Sequence, residues 1–320
     1  MNFLEKKVHE LHKYSPDSTA PEDLDLFWKK TLDAAAQKPL NDRKEQWESY
    51  SPFMEVNKVV YEGFDQTPLH GWYLLPKFAL AAAGENGLPC VVCFHGYSGS
   101  KGNPEDYSNW LMMGYAVFAV DVRGQNGETG NLLPQQFGMT KGWITQGLLD
   151  PEQSYYQAFA VDGVKAIEWA ALQPEVDPNR IVIAGGSQGG GLALLAGALS
   201  DKPWKIIADI PSMCHLDYGI FNSTGSLTEA AAFVSRNPDK LDQVLHTMSY
   251  FDMLNLHDRI QAPILMSVSL KDTVCMPETI FAVYNRLTGP KEIHVYPFLG
   301  HAVGPDGFRN RIKFLNKSFS

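Results

Sequence analysis

Ser187 sits in Gly185-Gly186-Ser187-Gln188-Gly189, a G-x-S-x-G pattern that could make a serine hydroxyl a nucleophile. With glycine and serine each near 7% of residues, chance places about 0.1 such matches in a chain this long, so the pattern alone is weak. Its surroundings strengthen it. The β-branched run Ile181-Val182-Ile183 leads in, and the small-residue run Gly190–Gly197 leads out. A nucleophile elbow needs that strand–turn–helix order, because the strained turn lifts the serine hydroxyl above the sheet edge, at a helix N-terminus. A phosphate-binding loop is the competing reading, and it lacks both the Lys-Ser/Thr of a P-loop and the G-x-G-x-x-G order.

A serine needs a base to take its proton, and the base needs an acid to hold its tautomer. In this type of fold the chain order is serine, acid, histidine. His301 lies in Leu299-Gly300-His301-Ala302, just after the apolar run 292–298, and is the expected base. His294 falls inside that run and reads as structural. Asp272 follows the run 263–268 in Leu270-Lys271-Asp272-Thr273-Val274 and is the expected acid, with Asp209, at the end of the strand after the elbow, as the alternative. For the oxyanion, Gln188 offers one backbone N–H. The turn His95-Gly96-Tyr97 offers the second, from Tyr97, whose ring is also expected near the acyl group; an ordinary turn is the competing reading. Arg123, in Arg123-Gly124-Gln125, reads as a structural ion-pair residue with Asp121 and Glu128 as nearby partners.

These residues need a scaffold that gathers strand ends at one edge. Short apolar runs at 91–94, 116–122, 180–184, 206–210, 264–268 and 292–298 read as strands, with helices over 155–172 and 189–199. Continuous apolar strands separated by helices predict an α/β class: a mostly parallel central sheet with helices on both faces, an α/β-hydrolase fold. Val56–Leu75 reads as a β-hairpin leading into the sheet. Residues 1–50 read as an N-terminal helical extension, carried by a helix over 24–36 with Leu24, Phe27, Trp28 and Leu32 on one face. Residues 219–258 read as a helical insertion that caps the pocket or meets another subunit. No linker divides the chain, so residues 1–320 are expected to form one domain.

The composition is ordinary for a soluble globular protein: 44% hydrophobic and 20% charged residues over 320 positions. A net charge of -9 argues against nucleic acid as a partner, since phosphate contacts need clustered Lys and Arg. No apolar run approaches the ~20 residues of a membrane span. Met1–Tyr14 is polar and lacks the apolar core of a secretory signal, which makes the cytoplasm the expected compartment unless a leader has been removed. Cys90 and Cys93 form a C-x-x-C inside an apolar run. On a strand their odd separation sends them to opposite faces, so one metal could not bind both and core packing is expected. No metal and no cofactor is expected.

With these residues in place the chain resembles the acetyl xylan esterase and cephalosporin C deacetylase family of α/β-hydrolases. The likeness runs from Pro21–Trp28 through His70–Pro76 to the C-terminal histidine loop. Arg123-Gly124-Gln125 and Gly185–Gly189, with Gln188 after the serine, are similar to two family motifs, and Asp272-Thr273-Val274 is similar to its acid loop. The third motif is His-Glu, and here it reads His301-Ala302. The resemblance implies a serine esterase acting on small acetylated substrates: xylo-oligosaccharides, other sugar acetates and acetylated cephalosporins. It also implies a homohexamer enclosing a cavity. Two other readings share the fold. One is a serine peptidase of the prolyl oligopeptidase type, although the roughly 90 residues before the first core strand are too few for that group's propeller domain. The other is a catalytically silent binding protein, which the intact Ser187, Asp272 and His301 disfavour.

Overall fold

A computed structural model of the chain describes residues 2–135, 138 and 142–319. Among them nine strands form one sheet in the order β1-β2-β3-β5-β4-β6-β7-β8-β9. The strands are β1 (Arg43–Trp47), β2 (Met54–Glu62), β3 (Pro68–Pro76), β4 (Leu88–Phe94), β5 (Ala116–Val120), β6 (Val176–Gly186), β7 (Pro203–Asp209), β8 (Ile264–Ser269) and β9 (Lys291–Tyr296). β1, β2 and β3 pair antiparallel, and β3 joins β5 antiparallel. From β5 to β9 every pairing is parallel. Parallel pairing puts the C-terminal ends of β4 to β9 on one edge, and the site is built there.

The parallel strands read as apolar runs because both of their faces are covered. Ile181, Val182 and Ile183 are fully buried, as are Ile206 and Ile207. Cys90 joins the core on one face of the sheet, and Cys93 packs against the core on the other. The strand geometry therefore separates the two thiols as the odd spacing requires.

The helices are α1 (Phe3–Leu11), α2 (Leu24–Ala36), α3 (Lys77–Ala83), α4 (Ser108–Met112), α5 (Tyr155–Ala171), α6 (Gln188–Leu199), α7 (Leu216–Asn222), α8 (Thr228–Arg236), α9 (Leu241–Ser249), α10 (Met253–Leu256), α11 (Pro277–Tyr284) and α12 (Gly307–Leu315). Every residue of α6 is buried, and α5 buries all but two of its seventeen. α2 packs Leu24, Phe27 and Trp28 inward, and the Trp28 indole N–H donates to the Tyr250 carbonyl at 3.0 Å. Residues 1–50 are not purely helical: β1 lies in them, paired along its whole length with β2. The 219–258 segment is helical as expected, but its first helix already starts at Leu216, and α7 to α10 follow one another without a strand.

Candidate active site

Ser187 follows β6 and caps α6 with φ 55° and ψ −121°, a conformation an L residue adopts only under constraint. The constraint is local. Ser187 N–H donates to the Asp209 carbonyl at 2.9 Å, while its own carbonyl accepts from Gly191 and Ser212, both at 3.0 Å. The flanking glycines are required by close approach. A Cβ on Gly185 would lie 2.3 Å from the Gly189 backbone, and one on Gly189 would lie 2.1 Å from the Phe94 carbonyl oxygen. Larger residues would force β6, α6 and β4 apart and lower the serine.

The three expected residues meet. His301 Nε2 is 2.9 Å from Ser187 Oγ, and His301 Nδ1 is 2.8 Å from Asp272 Oδ2. Asp272 is buried, and its other oxygen accepts from the N–H groups of Val274 at 2.8 Å and Cys275 at 3.0 Å. Those two bonds orient the carboxylate toward the ring, whose Nδ1–H then donates to it and leaves Nε2 to accept from the hydroxyl. Asp209, the alternative acid, is engaged elsewhere: one oxygen accepts from Ser267 Oγ at 2.7 Å and the other from the Arg311 guanidinium. His294 remains within β9. Cys275 adjoins Ser187, and burial, with Asp272 beside it, pushes its thiol up, so it stays a neutral thiol rather than a rival nucleophile.

The 95–99 turn stands beside the elbow, since a Cβ on Gly96 would lie 3.9 Å from Ser187 Cβ. Among the described residues no acceptor is bonded to the N–H of Tyr97 or of Gln188. The Tyr97 ring does not lie against the small cavity at Ser187. Its hydroxyl donates to Glu229 of α8 at 2.6 Å and accepts from the Trp143 N–H at 3.1 Å, with the Trp143 ring edge-on at 5.1 Å. Burial and the Glu229 carboxylate both push the Tyr97 hydroxyl up. No sequence pattern marks Glu229 as its partner, because the two are 132 positions apart.

Arg123 is a structural ion-pair residue, but its partners are neither Asp121 nor Glu128. The fully buried guanidinium donates from Nε to Asp162 at 2.6 Å and from Nη2 to Asp65 at 3.2 Å. Asp121 and Glu128 instead take the buried Lys101 ammonium at 2.6 and 2.7 Å.

The cavity against Ser187 and Gln188 measures about 20 Å³ and is walled by Met213, Cys214, Leu227, Val274 and Cys275. A larger hollow of about 800 Å³ lies near Trp204 and Arg259, at the opposite edge of the parallel strands, and holds none of the three residues. Among the described residues no cluster of His, Cys, Asp or Glu could hold a metal, and no helix is long and apolar enough to cross a membrane.

A mostly parallel sheet wrapped by helices, with a strained serine at the strand–helix turn, defines an α/β-hydrolase. Within that class the chain belongs to the acetyl xylan esterase (AXE1) family, whose pattern it matches over residues 1–318. It is 37% identical to the acetyl xylan esterase from Paenibacillus sp. R4, with a TM-score of 0.92 over 98% of this chain and 99% of that one. Acetyl xylan esterase 1 from Thermoanaerobacterium sp. JW/SL YS485 is 27% identical, with a TM-score of 0.90 and 98% of each chain covered. The acetyl esterase Axe7A of Xylanibacter ruminicola is 26% identical over 303 residues, 89% of this chain. The chain spans only 64% of that relative's length.

Proposed function

We propose that this protein is a serine carboxylesterase that removes acetyl groups from small acetylated molecules, sugar acetates and xylo-oligosaccharides first among them. The observation that carries the reading is the unbroken line from Asp272 through His301 to Ser187, with bonds of 2.8 and 2.9 Å. His301 takes the Ser187 proton as Oγ attacks the ester carbonyl. The oxyanion is received by the Tyr97 and Gln188 N–H groups, the alcohol departs with the proton from His301, and water then releases acetate by the same steps. The roughly 20 Å³ cavity supports the acyl preference, because it has room for about one water-sized group. The reading seats the acetyl methyl against this cavity, whose walls include Val274 and Met213. The resemblance extends the substrate range to acetylated cephalosporins, and the assembly to a hexamer.

The test is turnover of 4-nitrophenyl acetate, butyrate and octanoate together with an acetylated xylo-oligosaccharide. Acetate is expected fastest, and Ser187→Ala is expected to lower kcat by about 10⁴–10⁶, the scale seen when a subtilisin triad is dismantled. Faster turnover of octanoate would remove the acyl assignment, and a Ser187→Ala variant keeping more than about a tenth of kcat would remove the nucleophile.

A further inference from the structure

We propose that Gln125 is the positioning residue of the oxyanion hole, fixing both of its arms through one side-chain amide. The inference rests on the esterase reading above and concerns a residue whose hydrogen bonds go to Ser98, Tyr155 and Gln188 rather than to the triad. Gln125 lies in the loop after β5 and is buried, as is Gln188. Its Oε1 accepts from Ser98 N–H at 2.8 Å and from Gln188 Nε2 at 3.2 Å. Its Nε2 donates to Gln188 Oε1 at 2.9 Å and to the Tyr155 hydroxyl at 3.0 Å. A primary amide has two donors and two acceptor lone pairs, and here all four are used.

Chemistry, not choice, sets the amide's orientation. Ser98 N–H can only donate, so the atom facing it must be the oxygen. The Tyr155 proton is committed to the Arg123 carbonyl at 2.7 Å, so the atom facing Tyr155 must be the nitrogen. The Gln188 amide then has one complementary orientation, and the two glutamines form a cyclic pair. Ser98 and Gln188 are the two residues that matter. Ser98 follows Tyr97 directly and holds φ 53°, a strained turn that its bond to Gln125 secures. Gln188 carries the other proposed N–H donor itself.

A second bond ties the same two loops from the other side. Val122 N–H donates to His95 Nε2 at 2.9 Å, and His95 Nδ1 donates to the Gly96 carbonyl at 2.8 Å. The 95–99 turn is thereby fastened at both ends to residues 122–125, the Asn126 amide adds a bond to the Ser98 carbonyl at 2.6 Å, and among the described residues it is Gln125 that carries the connection on to the elbow. Donor N–H groups stabilise an oxyanion only when held where the charge develops, and losing one costs about 10²–10³ in kcat. Freeing both by tenths of an ångström is therefore expected to fall on kcat, with substrate binding little changed.

The experiment compares the parent with Gln125→Met, which keeps the side-chain length without its hydrogen bonds. The readouts are kcat and KM for 4-nitrophenyl acetate and the inhibition constant of a methyl trifluoromethyl ketone, whose adduct with Ser187 bears an oxyanion. Gln125→Met is expected to lower kcat between tenfold and a thousandfold, leave KM within threefold, and weaken the ketone in proportion to kcat/KM. Gln188→Met breaks the cyclic pair but leaves the Ser98 and Tyr155 bonds, and is expected to show a smaller loss of the same kind, at least threefold. The double variant should fall to the Gln125→Met level and no further. If Gln125→Met does not fold, Gln188→Met decides alone. A folded variant with kcat/KM within threefold of the parent, or a loss of kcat with unchanged ketone affinity, overturns the proposal. A parent inert toward both probes overturns the esterase reading and this inference with it.

Discussion

Each member of the proposed triad could be found from its neighbours in sequence, because each follows an apolar run whose end lies at the same sheet edge. What such reading leaves open is the choice between acids. Asp209 and Asp272 both end strands, and only the fold shows that Arg311 and Ser267 occupy the first while His301 meets the second. Asp272→Asn is expected to lower kcat by about 10⁴, because an amide cannot hold the imidazole in the required tautomer. Asp209→Asn should stay within tenfold, and its cost should appear as a lower melting temperature; the reverse pattern in parallel kinetics would exchange the two roles. Arg123 shows where local reading fails. Its acidic neighbours in sequence belong to Lys101, and its real partners, Asp65 and Asp162, lie 58 and 39 positions away. That rearrangement has a pH signature. Partial burial acts upward on the Glu128 carboxyl, but hydrogen bonds from Lys101 and Lys58 outweigh it and bring the group down to about 2. A carboxylate lowered in the folded state adds stability above its unfolded value of roughly 4.3 and loses it as pH falls through the folded value. The melting temperature of Glu128→Gln should therefore lie below the parent's at pH 7, and the gap should close between about pH 4 and 2. A gap that persists at pH 2 would assign the effect to packing instead.

At the level of elements, the parallel strands and the helices α2, α5 and α6 were legible because burial dictates their composition. Strands covered on both faces must be continuously apolar, and α2 shows its inward stripe at helical spacing. β1 gave no such signal. Its sequence Arg-Lys-Glu-Gln-Trp is exposed at every position, so no alternation distinguishes it from coil, and its pairing with β2 alone makes it a strand. The insertion was legible only as the absence of strand character: α7 and α10, at seven and four residues, are too short to show a helical period, and the nine-residue α8 and α9 show theirs over little more than two turns. The last helix depends on a contact that composition also hides. Lys205 projects from β7, and its ammonium donates to the carbonyls of Phe314, Leu315 and Lys317 at 3.3, 2.8 and 2.7 Å. These lie at or just past the C-terminus of α12, where carbonyls lack helical partners and the dipole favours a cation. Lys205→Met keeps an apolar stem of similar length but removes the ammonium from over the Trp204 ring and leaves the three carbonyls short of a donor. A loss of roughly 2 kcal/mol is expected in chemical denaturation, the scale of a buried polar group left unsatisfied. Less than about 0.5 kcal/mol would mean that α12 is held by its apolar face through Phe314 and Leu315 without the lysine.

For the whole molecule, the proposed assembly bears on Ala302, the motif position at which the chain departs from the resembling family. Several large rings stand in the open on this single chain, among them Phe3, Tyr50, Phe53, Phe221 and Phe298, each at least 68% exposed. Scattered rings are ordinary on a monomer, but they are also the residues a subunit interface would cover. Ala302, where the resembling family carries glutamate, is exposed, and its backbone carries the local order: the Ser269 hydroxyl donates to the Ala302 carbonyl at 2.7 Å. The histidine next to it already has its acid, since Asp272 occupies Nδ1 and Ser187 occupies Nε2. Neither ring nitrogen is left for a carboxylate at position 302 to orient. Such a side chain would reach outward, to solvent or to another subunit. Ala302→Glu is therefore expected to change kcat/KM by less than tenfold, under about 1.4 kcal/mol of barrier, while altering thermal stability or the elution volume in size-exclusion chromatography. Kinetics and chromatography on the two proteins, side by side, make the comparison. A rise of a hundredfold or more in kcat/KM, about 2.7 kcal/mol, would mean that the glutamate acts on the imidazole after all. This chain would then be a hydrolase scaffold short of one catalytic part.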